Sequence, residues 1–317
     1  VNVLVTGCAG FIASRIAQLL LERGERVVGV DNLNDYYSVR LKQWRLEQLR
    51  KSGRFSFQRQ DVADLPAMSA LFERERFEAV VNLAARAGVR PSVEDPWIYY
   101  ESNVIGTLNL LECSRRSGAS RFVLASSSSV YGFNEVPFSE EGSTDRALSP
   151  YAASKKAAEV LCHSYHHLHG LTTMVPRFFT VYGPAGRPDM SYLKFIDCIE
   201  RGRPIEVFGD GTQRRDFTYV DDIADGVIKA LDQGRGHEVF NLGGSHPVEL
   251  NRVIAAIEEL LGKKAIVVHG PVHPADAKDT WASNEKAERL FGWRAAVSLR
   301  EGLSRTVAWY RNNPGLF

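Results

Sequence analysis

The opening thirty-one residues constrain this chain more than any other stretch. Val1 to Thr6 (VNVLVT) is the short β-branched run expected of a strand buried on both faces. Gly7-Cys8-Ala9-Gly10-Phe11-Ile12-Ala13 then turns into a helix predicted over Ala13 to Arg23, and Gly24 ends it. Val27 to Asp31 reads as a second buried strand closing on an acid, so the whole is a βαβ unit. Its turn suits a diphosphate. Gly7 permits the tight bend, Gly10 lets phosphate approach the backbone, and the helix N-terminus turns free N–H groups towards negative charge. Asp31, about twenty residues on, is placed to bind adenosine ribose hydroxyls and repel a 2′-phosphate, which favours NAD over NADP. Ala13 stands where such a fingerprint has its third glycine, an accepted small replacement. Cys8 has two readings, a thiol activated near a helix N-terminus and a small filler, of which the filler is favoured.

With 317 residues the chain is long enough for one large α/β unit and a smaller lobe. A net charge of +1 with no basic stripe gives no nucleic-acid footprint. Cys8, Cys113, Cys162 and Cys198 lack metal-site spacing and suit reduced thiols. No apolar run approaches membrane-spanning length, and the sequence opens on a strand without a charged-then-apolar leader. The expectation is a cytoplasmic protein with no membrane or nucleic-acid partner and no metal.

Strands and helices continue to alternate. Strands are predicted at Phe55 to Phe57, Ala79 to Leu83, Arg121 to Ala125 and Thr172 to Phe179, with helices over Leu41 to Lys51 and up to Leu71. Another helix is predicted to start near Tyr99, and a long one over Pro150 to His169. This is the pattern of a doubly wound parallel sheet. Asp61 has two readings, a partner for the adenine amino group and the N-cap of the following helix. Ala84 and Ala85, after the fourth strand, are small enough for cofactor and backbone to meet. Asn103 is open between a site residue and a helix-surface amide. From Ser191 helix, turn and basic loop follow, but Glu238 to Gly243 looks like one more sheet strand. Helices at Leu250 to Leu261 and Leu299 to Asn312 and a strand at Ala265 to Val268 complete a second, interleaved lobe. We therefore expect α/β architecture: a Rossmann-type domain over 1–180 with a returning strand near 236–244, and a mixed α/β substrate lobe mainly over 181–317.

Ser126 to Gly132 crowns the fifth strand, where open α/β sheets place ligands. Tyr151 and Lys155, four apart, project from one helical face. An ammonium one turn away favours the phenolate, so Tyr151 is a candidate base near neutral pH. Ser127 is placed to complete a relay to a substrate hydroxyl.

These motifs together resemble the extended short-chain dehydrogenase/reductases and, within them, the nucleotide-sugar epimerases. The resemblance runs from Val3 to about Tyr310. It rests on TGCAGFIA (6–13), DNLNDYY (31–37), NLAARAGVR (82–90), SSSSVYG (126–132), YAASK (151–155), RFFTVYGP (177–184) and RRDFTYVDD (214–222). It implies a Rossmann fold, retained NAD and hydride chemistry at a UDP-sugar, with Tyr151, Lys155 and Ser127 catalytic. The implied cofactor set adds Phe11, Ile12, Asn32, Val62, Leu83 and Asn103 to Gly7, Gly10, Asp31, Asp61, Ala84 and Ala85. Homodimerisation through helices near 104–115 and 153–169 is usual in the family.

Finer resemblances narrow the substrate. Dehydratases of this family carry an Asp-Glu pair where Ser128 and Ser129 stand, so dehydration is disfavoured. Thr180, the GRPDM turn at 186–190 and DNLNDYYSVRLK at 31–42 are similar to the UDP-glucuronate 4-epimerases. Arg187 offers a planar fork suited to a sugar carboxylate, with Thr180 and Ser128 as supporting hydroxyls. A solvated loop arginine is the other reading. Arg215 matches the family arginine for the nucleotide diphosphate, in preference to Arg214. Asp276 matches an acid near the nucleotide ribose and Arg90 a loop residue near the sugar, each with a solvated loop charge as its alternative. Asn82 and Ala185 depart from the family pattern, which usually has His and often a large aromatic residue there. The expected activity is interconversion of UDP-glucuronate and UDP-galacturonate. The alternatives are 4-epimerisation of UDP-glucose or a UDP-N-acetylhexosamine, decarboxylation of UDP-glucuronate, and a catalytically silent NAD-binding regulator.

Overall fold

The computed structural model describes residues 1–272 and 278–316. A parallel sheet runs through its centre in the order His237–Leu242, Thr172–Phe178, Arg121–Leu124, Ala79–Asn82, Asn2–Thr6, Arg26–Asp31, Phe55–Arg59. A short strand, Ser126–Ser127, also pairs with Thr172–Phe178. Alternate side chains of the strands go to opposite faces, and both faces are covered. Leu4, Val80 and Phe122 meet Met68, Leu110 and Cys162 on one side, while Val5, Val81 and Val123 share the other with Ile16, Leu20 and Val227. Burial on both sides is why the strand segments read as apolar runs rather than alternating ones. The order reverses between Asn2–Thr6 and Ala79–Asn82, and a crevice at such a reversal is where doubly wound sheets bind ligands.

The returning strand is real: His237–Leu242 pairs in parallel with Thr172–Phe178 at the sheet edge. The helices Pro150–His169, Leu250–Leu261 and Leu299–Asn312 have the expected limits. Ser149 caps the first of these by accepting from the Ala152 N–H at 3.1 Å, and Gly170 ends it in the left-handed conformation. Beyond it, Thr180–Tyr182, Arg214–Tyr219 and Pro247–Glu249 form a small mixed sheet, and Pro204–Phe208 pairs with Ile266–Gly270. Four of these strands, at 180–182, 204–208, 214–219 and 247–249, have no counterpart in the sequence reading, which takes 180–190 as a loop.

Two local expectations change. The helix capped at its start by an acid is Leu65–Arg74, and its cap is Asp64, which accepts from the Ala67 N–H at 3.0 Å. Asp61 is therefore not that cap. The helix expected from Tyr99 starts at Trp97, passes through a π-helical turn at Glu101–Ile105 and continues as Gly106–Ser117. Such turns shift the register of a helix and often mark functional sites.

Candidate active site

A cavity of about 490 Å³ opens over the C-terminal ends of the central strands. Gly7 and Gly10 form its floor. Gly7 is left-handed (φ 67°), and a Cβ there would lie 2.9 Å from the backbone of Leu83 and Ala84, across the strand-order reversal. The Gly10 N–H donates to the Gly7 carbonyl at 2.7 Å, closing the turn. The helix that follows, Phe11–Glu22, has no side-chain cap and no acid in its first turn. Its N–H groups are thus available to an anion, and the residues present fit a dinucleotide diphosphate. Cys8 is the filler: its sulfur is fully buried against Gly29, and burial pushes the thiol well up.

Asp31 ends its strand at the cavity wall. Its carboxylate accepts the N–H groups of Ala9 (3.2 Å) and Leu33 (2.8 Å), with burial raising its pKa against these bonds. Two accepted bonds leave lone pairs for ribose hydroxyls. Asn32 donates to Asp61 at 2.7 Å, and both line the cavity beside Val62. Phe11, Ile12, Leu83, Ala84 and Ala85 line it too. Asn82 is a structural residue: its side chain links Thr6 (2.6 Å) to Thr107 (3.1 Å) in the core.

Asn103 is neither a surface amide nor part of the cavity wall. It is buried in the π-helical turn, accepts the Arg86 N–H at 2.8 Å, and donates to the Arg86 carbonyl and to Ser154. It thus braces the loop after Ala85 against the Tyr151 helix.

Tyr151, Lys155 and Ser127 converge at one end of the cavity. Lys155 is buried, and its ammonium donates to the Ala125 carbonyl at 2.9 Å. Burial lowers its pKa to about 8, and Glu159 partly opposes the drop. Tyr151 behaves otherwise than helix spacing implies. Burial pushes its pKa up, and a hydrogen bond with Ser127 and the charge of Arg187 pull it back. Spacing ignores the cost of desolvating a phenolate, and here that cost wins. Ser127 also accepts the Ser129 N–H at 3.2 Å, which fixes its hydroxyl at the strand end. Beneath it, Ser126 donates to Glu159 at 2.6 Å, and Glu159 pairs bidentately with buried Arg177 at 2.9 and 2.8 Å.

Thr180, Ser128 and Arg187 line the same cavity. Arg187 is not a solvated loop arginine. Only 20% of its side chain is exposed, its guanidinium lies 5.8 Å from the Tyr36 ring centre, and its fork is held by Asp189. The Asp189 side chain is 41% exposed, so this partner can swing towards solvent. Arg215 lines the cavity, whereas Arg214 pairs with Asp279 at 3.2 Å and lies over Trp281. Arg90 stacks 3.8 Å from the Phe208 ring centre, joining its loop to the second lobe. Asp276 lies outside the described residues.

Sequence reasoning passed over Lys42, Arg45 and Tyr36. Lys42 is buried, donates to the Asn34 carbonyl (2.6 Å) and side chain (3.0 Å), and so shapes the loop beside Asp31. Tyr36 lines the cavity with its hydroxyl against Gly88. Their signals were the density of polar and aromatic residues over 32–45 and, for Tyr36 and Lys42, the stretch DNLNDYYSVRLK at 31–42. Among the described residues, no helix is long and apolar enough to cross a membrane.

Comparison with known proteins agrees with this geometry. The NAD dependent epimerase/dehydratase family matches residues 3–243. The UDP-glucuronate 4-epimerase of Thermodesulfobacterium geofontis is 52% identical over 311 residues, covering 98% of this chain and 96% of that protein. The UDP-glucuronic acid 4-epimerase from Bacillus cereus, solved in complex with UDP-glucuronic acid and NAD, has a TM-score of 0.93 at 36% identity, covering 98% of this chain and 99% of that one. The UDP-glucose 4-epimerase of Thermotoga maritima, solved with UDP-glucose, reaches 0.91 at 33% identity, with coverage of 98% and 99%. With its glycine turn at the strand-order reversal and Tyr151, Lys155 and Ser127 gathered above it, this chain belongs to the NAD dependent epimerase/dehydratase family.

Proposed function

We propose that the chain is a UDP-glucuronate 4-epimerase that interconverts UDP-glucuronate and UDP-galacturonate. The observation that carries the uronate reading is Arg187, a largely buried guanidinium on the cavity wall, close enough to Tyr151 to lower its pKa. Residues 1–180 with the strand near 236–244 would hold NAD, and 181–317 mainly the nucleotide sugar. Asp31 favours NAD over NADP. Cytoplasmic residence and a homodimer through helices near 104–115 and 153–169 belong to the same reading.

Bound NAD would supply a reversible hydride acceptor for the sugar C4. The chain's residues handle the proton and the substrate. Tyr151 removes the C4 hydroxyl proton, and Ser127 hydrogen-bonds that oxygen and then the ketone it becomes. Lys155, held by the Ala125 carbonyl, stands one helical turn away, where its ammonium supports the phenolate. Arg215 is the anchor for the diphosphate while the sugar turns its other face. The intermediate is a β-keto acid, which loses carbon dioxide when its C5–C6 bond lines up with the carbonyl π system. Arg187 and Thr180 hold the carboxylate out of that alignment. Asp189 exchanges for the substrate carboxylate on the Arg187 fork, a swap its exposure permits.

The same Arg187–Asp189 pair favours a second reading, because an arginine already neutralised also tolerates a neutral hexose. One experiment separates the two. Purified protein is incubated with UDP-glucuronate or UDP-glucose, and the sugar signals are followed by proton NMR. UDP-galacturonate from the first is expected. Turnover of UDP-glucose alone supports the second reading, and a UDP-pentose means decarboxylation.

A further inference from the structure

We propose that Arg45 is a positioning residue for recognition of the substrate carboxylate, which it serves from the adenosine side of the site. The proposal rests on the reading of Arg187 given above. Arg45 lies on the helix Val39–Arg50 and is 2% exposed. Its planar fork uses all five N–H donors. Nε and Nη2 donate to the Ala185 carbonyl at 3.0 and 2.7 Å, and Nη2 also donates to the Gly186 carbonyl at 3.0 Å. Nη1 donates to the Ala9 carbonyl and to the Tyr37 hydroxyl, both at 2.8 Å. One side chain thus joins the diphosphate turn, the loop after Asp31 and the turn that carries Arg187.

That last turn needs holding. Ala185 is left-handed (φ 55°), a conformation its Cβ disfavours. Gly186 is confined from the other side, since a Cβ there would sit 1.8 Å from the Tyr192 hydroxyl. The turn is therefore clamped between Arg45 and Tyr192, and Arg187 leaves it directly. Only a guanidinium satisfies this set of acceptors, because an ammonium has three donors and no planar fork. Loss of the clamp lets Ala185 relax to an ordinary backbone conformation, and the direction of Arg187 changes with it.

The test is a double-mutant cycle on the NAD-loaded enzyme, with Arg45→Met and Arg45→Lys each made in the wild-type and Arg187→Met backgrounds. Arg45→Lys keeps the charge and much of the stem and serves where Arg45→Met fails to fold. In the wild-type background, KM for UDP-glucuronate is expected to rise roughly tenfold, or about 1.4 kcal/mol, with a smaller change in kcat. In the Arg187→Met background, the same change is expected to alter KM less than about twofold, because the group being positioned is gone. An equal rise in both backgrounds, or none in the wild type, overturns the proposal alone. An Arg187→Met variant with unaltered KM for UDP-glucuronate overturns the carboxylate reading as well.

Discussion

Replacing Lys155 by methionine keeps most of an apolar stem while removing a buried ammonium, and its effect on stability can be worked out from the site. Burial is the main reason the Lys155 pKa falls from 10.5 to about 8. At about 1.4 kcal/mol per pH unit, that drop means the folded state carries a penalty of about 3 kcal/mol for keeping the ammonium charged. The folded chain sheds this proton at lower pH than the unfolded chain does. The penalty is therefore whole below about pH 8 and is relieved as pH rises from there towards 10.5. Methionine has no such titration, although it leaves the Ala125 carbonyl without the Lys155 donor, a loss of about 1–2 kcal/mol that is independent of pH. Urea unfolding of dinucleotide-free wild type and Lys155→Met at about pH 7 and about pH 9.5 isolates the titrating part. The wild type is expected to gain about 2 kcal/mol relative to the variant between those two values. A difference that stays flat, or moves the other way, refutes the reasoning. The variant is also expected to lose turnover at either pH.

Other parts of the site give further expectations. Tyr151→Phe removes the base and should lower kcat by about 10²–10⁴-fold with NAD still bound, as read by progress curves and the dinucleotide released on denaturation. Glu159→Gln strands the buried Arg177 guanidinium and should cost about 3–5 kcal/mol in urea unfolding. Arg187→Met should raise KM for UDP-glucuronate at least about tenfold, since charged hydrogen bonds contribute about 1.5–3 kcal/mol. Some UDP-pentose should appear with it by NMR, and KM for any UDP-glucose turnover should stay unchanged.

What the sequence discloses here is whatever depends on near neighbours. The βαβ opening, the Ser149–Pro150 start of the Tyr151 helix and its Gly170 stop are local signals. They place Gly7, Asp31, Tyr151 and Lys155 because each sits at a fixed step from a strand end or helix cap. Long-range contacts are invisible to such reasoning. Asn103 looks like a helix-surface amide until the Arg86 loop and Ser154 close over it. Arg45 reads as one charge on an amphipathic helix, because its acceptors at Ala185 and Gly186 lie 140 and 141 residues away. The strand Arg214–Tyr219 is stabilised by pairing with Thr180–Tyr182 and Pro247–Glu249, not by any pattern of its own. Tyr151 shows the limit most sharply: spacing puts an ammonium near a phenol, but desolvation sets the direction of its pKa.

The central claim is that the C4 hydrogen leaves and returns as hydride within the site while Tyr151 handles only the hydroxyl proton. The most direct measurement uses UDP-glucuronate labelled with deuterium at C4, with the products followed by deuterium and proton NMR in ordinary water. The account predicts UDP-galacturonate with the label retained at C4. Product whose C4 label has washed out into solvent would contradict it, because that outcome requires the hydrogen to leave as a proton.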